Sequence, residues 1–181
     1  LERDIGLLDA ADCAVKIIVT RGDSARGYGP PLKPLPARAI ITGPLPEYPA
    51  AVADEGIRVR LCDMRLPSQP RLAGIKHLNR LENVLARMEW NDPAIAEGLL
   101  CDAADSLIGG TMSNLFIVEA NRLVTPALSE CGVAGVMRDL IIDLARIHEI
   151  GVDIAQVNLD RLRAAGLEVA TAGGWRAGVS G

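Results

Sequence analysis

Only three lysines occur in this chain of 181 residues, and one of them stands where an amine could do covalent chemistry. Lys16 lies in a β-branched run and Lys33 in a proline-rich loop, and both read as solvated surface amines. Lys76 follows the apolar stretch Leu72-Ala73-Gly74-Ile75 and precedes a helical pattern. At such a junction a lysine is expected to be partly buried, and burial makes an ammonium lose its charge more easily. A neutral amine is what imine formation with a carbonyl requires. On position alone, an ordinary helix-start lysine is still the simpler reading.

Two further stretches offer binding chemistry. In Cys131-Gly132-Val133-Ala134-Gly135-Val136-Met137-Arg138 a glycine turn runs straight into a helical pattern. Free N–H groups at a helix start can cradle a phosphate, and small residues let an anion approach. A tight turn into a packed helix explains the same residues. In Gly109-Gly110-Thr111-Met112-Ser113-Asn114 the glycines permit close backbone approach, and Thr111, Ser113 and Asn114 place short polar groups beside a strand. An ordinary β-turn would look similar.

Alternation and periodicity supply the elements that must position these residues. Strands are predicted at 14–21, 37–42, 57–61, 97–102, 106–108 and 114–119, with a further one at 122–125, and residues 97–125 read as a meander. The proline-rich stretch 27–36 is an extended loop. One helix is predicted after Lys76, with Leu78, Leu81, Leu85 and Met88 as its apolar side, and stops at Asn91-Asp92-Pro93. Another covers 135–150 with Val136, Leu140, Leu144 and Ile147 on one face. Asn158 caps a short helix at 159–165. Residues 1–12 read as the end of a helix. Strands, helix, strands, helix in this order predict an α+β fold with largely antiparallel sheets.

Composition narrows the function. Hydrophobic residues make up 49% of the chain and aromatics 3%, so the core is aliphatic. The net charge is −4 and no basic run exceeds two residues, which argues against nucleic-acid binding. Cys13, Cys62, Cys101 and Cys131 are far apart and read as reduced thiols of a cytoplasmic protein. With two histidines, His77 and His148, no metal site is predicted. No apolar run reaches the ~18–20 residues of a membrane span. The chain begins at Leu1, and the expectation is a piece of a longer protein.

The three weak signals, in this order, match one family. Gly74-Ile75-Lys76-His77-Leu78-Asn79-Arg80-Leu81-Glu82 resembles the segment around the cofactor-bearing lysine of aminodeoxychorismate lyases. These belong to the class IV aminotransferase-like enzymes dependent on pyridoxal 5'-phosphate (PLP). Met112-Ser113-Asn114-Leu115-Phe116 resembles the family's strand motif, Gly132–Arg138 its phosphate cup, and Arg21-Gly22 with Arg26-Gly27-Tyr28 its arginine loop. The resemblance covers roughly Val15 to Ala165.

It implies the class IV PLP fold, two α+β domains, here incomplete at both ends. Residues 1–66 would be the remainder of the small domain and 67–74 the linker. Residues 75–181 would form the PLP-binding domain, atypical after 165. The implied activity is conversion of 4-amino-4-deoxychorismate to 4-aminobenzoate and pyruvate, toward folate, in a homodimer. Alternatives are a D-amino-acid or branched-chain transaminase, against which Asn79-Arg80-Leu81-Glu82 argues, and a non-catalytic fragment or pseudoenzyme. By the same resemblance Lys76 holds PLP and carries protons. Gly135, Val136 and Met137 offer N–H groups to its phosphate, Thr111 and Ser113 lie near it, and Arg26 holds a substrate carboxylate. One departure concerns chemistry: Gly109 stands where the family carries a glutamate paired with the pyridine nitrogen.

Overall fold

The computed structural model describes residues 12–47, 49, 52, 55–165, 169–171 and 175–179. Of the helix expected at 1–12, residues 1–11 lie outside them. Two compact units divide the chain, Leu1–Tyr48 and Pro49–Gly181. In the first, β1 (Ala14–Val19) pairs antiparallel with β2 (Arg38–Gly43), setting Ile17 opposite Ile40 and Val15 opposite Thr42. Both strands are built from the β-branched residues that favour a pleated ribbon. The stretch between them, which holds Gly22, the prolines and Arg26, contains no helix or strand.

The division does not fall at the linker expected over 67–74. The strand β3 (Ile57–Leu66) belongs to the larger unit because it pairs in parallel with β4 (Ile95–Asp102). The 67–74 stretch is itself tied down. Gln69 N–H donates to Glu130 O at 2.7 Å, and Gly74 N–H donates to Gly132 O at 3.1 Å.

The larger unit is one mixed sheet of eight strands in the order β5-β4-β3-β10-β9-β6-β7-β8. The remaining strands are β5 (Leu107–Gly110), β6 (Leu115–Glu119), β7 (Arg122–Pro126), β8 (Val152–Ala155), β9 (Val169–Thr171) and β10 (Trp175–Val179). β4–β5, β6–β7, β6–β9 and β9–β10 are antiparallel, whereas β3–β4, β3–β10 and β7–β8 are parallel. The 97–125 region is therefore no simple meander. β5 and β6 follow each other in sequence, yet β4, β3, β10 and β9 lie between them in the sheet. The chain leaves β5 at Gly110 and starts anew at Leu115, so residues 111–114 form a crossing rather than a hairpin.

β4 is buried on both faces. Leu99 and Cys101 join one core cluster with Leu107, Leu115 and Ile117, while Leu100 joins another with Ile108, Ala86 and Trp90. Burial raises the thiol of Cys62 to about 12 and that of Cys131 to about 11, which keeps these side chains neutral members of the core.

Among the described residues, α1 (Leu81–Arg87), α2 (Val136–Ile147) and α3 (Leu159–Ala164) pack on this unit. Asn158 caps α3 as expected, accepting from the Arg161 N–H at 2.8 Å. The apolar faces read for the other two are not the buried ones. α1 buries Ala86, while Leu78, Leu81, Leu85 and Met88 are exposed. α2 buries Arg138, Ile142 and Ala145, while Val136, Leu140, Leu144 and Ile147 are exposed. Ala86 is small enough to bring α1 close to the sheet, where Trp90 fills the remaining space. No helix among the described residues is long and apolar enough to cross a membrane.

Candidate active site

Gly74 and Gly132 both take positive φ, +77° and +90°, a conformation that costs glycine little. This lets two irregular segments run side by side. Gly74 bridges Val133 in parallel, and the Ala134 N–H donates to Gly74 O at 3.0 Å. The lysine segment and the Gly132–Met137 turn are thus hydrogen-bonded neighbours within one unit.

Asn114 joins the third segment to them. Its side chain is only 8% exposed. Nδ2 donates to Val133 O at 2.7 Å, and Oδ1 accepts from the Gly135 N–H at 3.0 Å. A fourth tie comes from α1, where Asn83 Nδ2 donates to Thr111 O at 2.7 Å. The motifs around Lys76, Thr111–Asn114 and Gly132–Met137 therefore form one hydrogen-bonded group.

The start of α2 is open on one side and fixed on the other. Gly135 is its N-cap, with extended φ and ψ (−78°, 146°) and no side-chain cap. Val136 is 84% exposed and Met137 49% exposed, so the first-turn N–H groups of both can meet a ligand. The Gly135 N–H is already given to Asn114, which narrows the expected phosphate donors from three residues to Val136 and Met137. Beneath the turn, Arg138 is 6% exposed and donates to Thr125 Oγ1 at 3.2 Å and Pro126 O at 3.1 Å. Burial lowers its pKa, and these bonds root the helix start on β7.

Lys76 is exposed rather than part-buried. Its neighbours Ile75 (53% exposed) and Leu78 (66%) are open as well, so the apolar stretch before it does not desolvate the amine. Lys16 and Lys33 are exposed as read. Arg26 is exposed in the loop of the N-terminal unit.

Glu97 was missed. It is fully buried in β4 beside the 111–114 crossing. Oε1 accepts from the Gly98 N–H (2.8 Å), the Thr111 N–H (3.0 Å) and the Thr111 hydroxyl (2.5 Å). Oε2 accepts from the Met112 N–H (3.2 Å) and the Ser113 hydroxyl (2.9 Å). The signal in the sequence was a lone acid inside the apolar run 95–101. Gly110 leaves room for it, because a Cβ there would lie 2.7 Å from Glu97 Oε2 and closer still to Ser113 Oγ.

A cavity of about 60 Å³ lies behind the lysine segment, lined by Leu66, Gln69, His77, Arg80, Glu82 and Cys131 among others. Cofactor pockets run to ~300 Å³ or more, so this one is too small for PLP. Among the described residues no group of His, Cys, Asp or Glu could hold a metal ion.

The amino-transferase class IV family profile matches residues 5–175. The chain belongs to that family. It is similar to the aminodeoxychorismate lyase of Vibrio harveyi, 35% identical over 148 residues, which cover 82% of this chain and 55% of that protein. It is also similar to the solved 4-amino-4-deoxychorismate lyase of Pseudomonas aeruginosa. That likeness has 43% identity and a TM-score of 0.86, covering 91% of this chain and 62% of that one. A third likeness, to the T.th. branched-chain amino acid aminotransferase solved with pyridoxamine 5'-phosphate, has 23% identity and a TM-score of 0.67. It covers 83% of this chain and 50% of that one, and concerns the fold alone. The chain spans about half the length of the curated relatives it matches.

Proposed function

We propose that this chain carries the cofactor-binding half of an aminodeoxychorismate lyase that converts 4-amino-4-deoxychorismate to 4-aminobenzoate and pyruvate. The observation that carries the reading is the Gly74–Val133 bridge with the Asn114 clamp, which gathers the three motifs into one group. The likeness to the Pseudomonas aeruginosa lyase supports the choice of reaction.

The residues present fit PLP. The phosphate would sit at the uncapped start of α2 on the N–H groups of Val136 and Met137. Lys76 would hold the cofactor through its amine, two residues beyond the Gly74 bridge. Thr111 and Ser113 would lie beside it, on the crossing that Asn114 and Asn83 tie to the same group. When bound, the cofactor accepts electrons as a proton leaves the amine-bearing carbon of the substrate. The Lys76 amine would take that proton and return it to the departing enolpyruvyl group as the ring becomes aromatic. Arg26 would hold a substrate carboxylate through its planar fork. The protein is proposed to act as a cytoplasmic homodimer.

Borohydride reduction of the PLP-treated chain tests the assignment. Lys76→Ala is expected to abolish the trapped adduct, whereas Lys16→Ala and Lys33→Ala leave it. An adduct that survives Lys76→Ala sinks it. Release of 4-aminobenzoate from 4-amino-4-deoxychorismate, rather than amino transfer to a 2-oxo acid, tests the reaction.

A further inference from the structure

Thr111 and Ser113 look like ordinary hydroxyl donors in sequence, but in the structure neither has a proton to offer a ligand. A hydroxyl carries one hydrogen and two lone pairs. The Thr111 hydrogen goes to Glu97 Oε1 at 2.5 Å and the Ser113 hydrogen to Glu97 Oε2 at 2.9 Å. Neither bond can reverse cheaply. The Gly98, Thr111 and Met112 N–H groups already fix both oxygens of Glu97 as acceptors. Glu97 is 0% exposed, so water does not compete for these bonds. What the two half-buried hydroxyls can present outward is lone pairs alone.

We infer that Glu97 is a positioning residue that sets the polarity of the site by turning Thr111 and Ser113 into acceptors, so that this end takes a donating, cationic group of the ligand and refuses an anionic one. The inference rests on the proposed binding of PLP. Its phosphate belongs at the first turn of α2, which starts at Gly135 with no side-chain cap. Its protonated ring nitrogen is the donor that fits the Thr111–Ser113 end. Glu97 does not touch that nitrogen, because its two oxygens are filled by five uncharged donors. It acts through the hydroxyls, whose outward lone pairs favour a donating cation beyond them.

The 1-deaza analogue of PLP keeps the aldehyde and phosphate but replaces the ring nitrogen with a C–H that cannot donate. Dissociation constants of PLP and the analogue are to be measured by equilibrium dialysis on the full 181-residue chain, and on Thr111→Val/Ser113→Ala and Glu97→Gln. The wild-type chain is expected to prefer PLP about tenfold or more, the ratio typical of a hydrogen bond to a charged group. The double variant leaves the buried carboxylate in place and should bring the ratio to about twofold or less. Glu97→Gln should reduce it similarly, and if that variant does not fold the double variant decides. A merely structural role would weaken both ligands together and leave the ratio unchanged. An unchanged ratio in the folded double variant, or equal binding of both ligands by wild type, overturns the inference while the PLP reading stands. Failure of wild type to bind either ligand overturns both.

Discussion

Replacing Asn114 by alanine removes a side chain that ties the strand motif to the turn before α2. Two hydrogen bonds vanish, Nδ2 to Val133 O at 2.7 Å and the Gly135 N–H to Oδ1 at 3.0 Å. Each is worth ~1 kcal/mol net, and a buried group left without a partner costs ~1–3 kcal/mol. Val133 and Gly135 are only half-buried, so water recovers part of that cost. The expected loss is therefore about 2–3 kcal/mol, a large share of the ~5–15 kcal/mol that holds a domain together. Urea unfolding followed by the fluorescence of buried Trp90 should show a midpoint lower by about 1 M or more, taking a slope of ~2 kcal/mol per M. Asn114→Asp discriminates between packing and bonding. It keeps the shape and the acceptor for Gly135 but sets a carboxylate oxygen against the Val133 carbonyl, so it should be at least as damaging as alanine. If Asn114→Ala unfolds within ~0.5 kcal/mol of wild type, or Asn114→Asp is harmless, the clamp does not hold the segments together as reasoned.

Val136→Pro places proline at the first position of α2, where it suits the helix and removes only an N–H that no helical bond uses. Inorganic phosphate and PLP should both bind about tenfold more weakly while the circular dichroism is unchanged, and undiminished binding would put the phosphate elsewhere. Gly109→Glu is expected to destabilise by ~1–3 kcal/mol rather than restore a cofactor partner, since a Cβ there would lie 2.9 Å from Ser113 O. A thermal melt equal to wild type would refute this. The Glu119–Arg161 and Asp153–Arg122 pairs hold both carboxyls below their ordinary values, first through the hydrogen bond to the arginine. Their contribution is complete above the usual carboxylate range and lost as pH falls through the lowered values. Glu119→Gln and Asp153→Asn should therefore differ from wild type in melting temperature at neutral pH and converge with it as the pH falls below the usual carboxylate range.

Strands were the most legible part of the chain because their signal is local. The β-branched run 14–19 marks a strand, and the alternation from Ile57 names the buried face at the start of its strand. The helix faces were misread because an apolar stripe reports only that a face avoids water, not which neighbour it meets. In α2 the buried Arg138 and Ile142 lie two residues beyond Val136 and Leu140, or about 200° round the helix. No periodicity could anticipate that a buried arginine, satisfied by Thr125 and Pro126, would replace an apolar anchor. The sheet order was hidden for a similar reason, since β10 enters beside β3 from more than a hundred residues away. Of the candidate site, the motif residues were legible one by one. Their assembly was not, because the joints are the backbone bonds of Gly74 and Gly132 and the amide of Asn114.

Gly109 is where the two levels of reading meet. In sequence it is a loss, a missing carboxylate beside the expected ring nitrogen. In the structure it is a consequence of how the 111–114 crossing closes. The Gly110 N–H donates to Ser113 O at 2.8 Å, and that same oxygen occupies the space a side chain at 109 would need. The closed crossing brings Thr111 and Ser113 onto Glu97, and Gly110 is small for the same reason. A glutamate at 109 and a crossing folded over Glu97 therefore compete for one volume. A carboxylate could return at 109 only if Ser113 and its neighbours shifted, and a donor lost from Glu97 in the fully buried interior would cost ~1–3 kcal/mol. Glycine at 109 goes with the buried acid at 97, and the two should be changed together rather than singly.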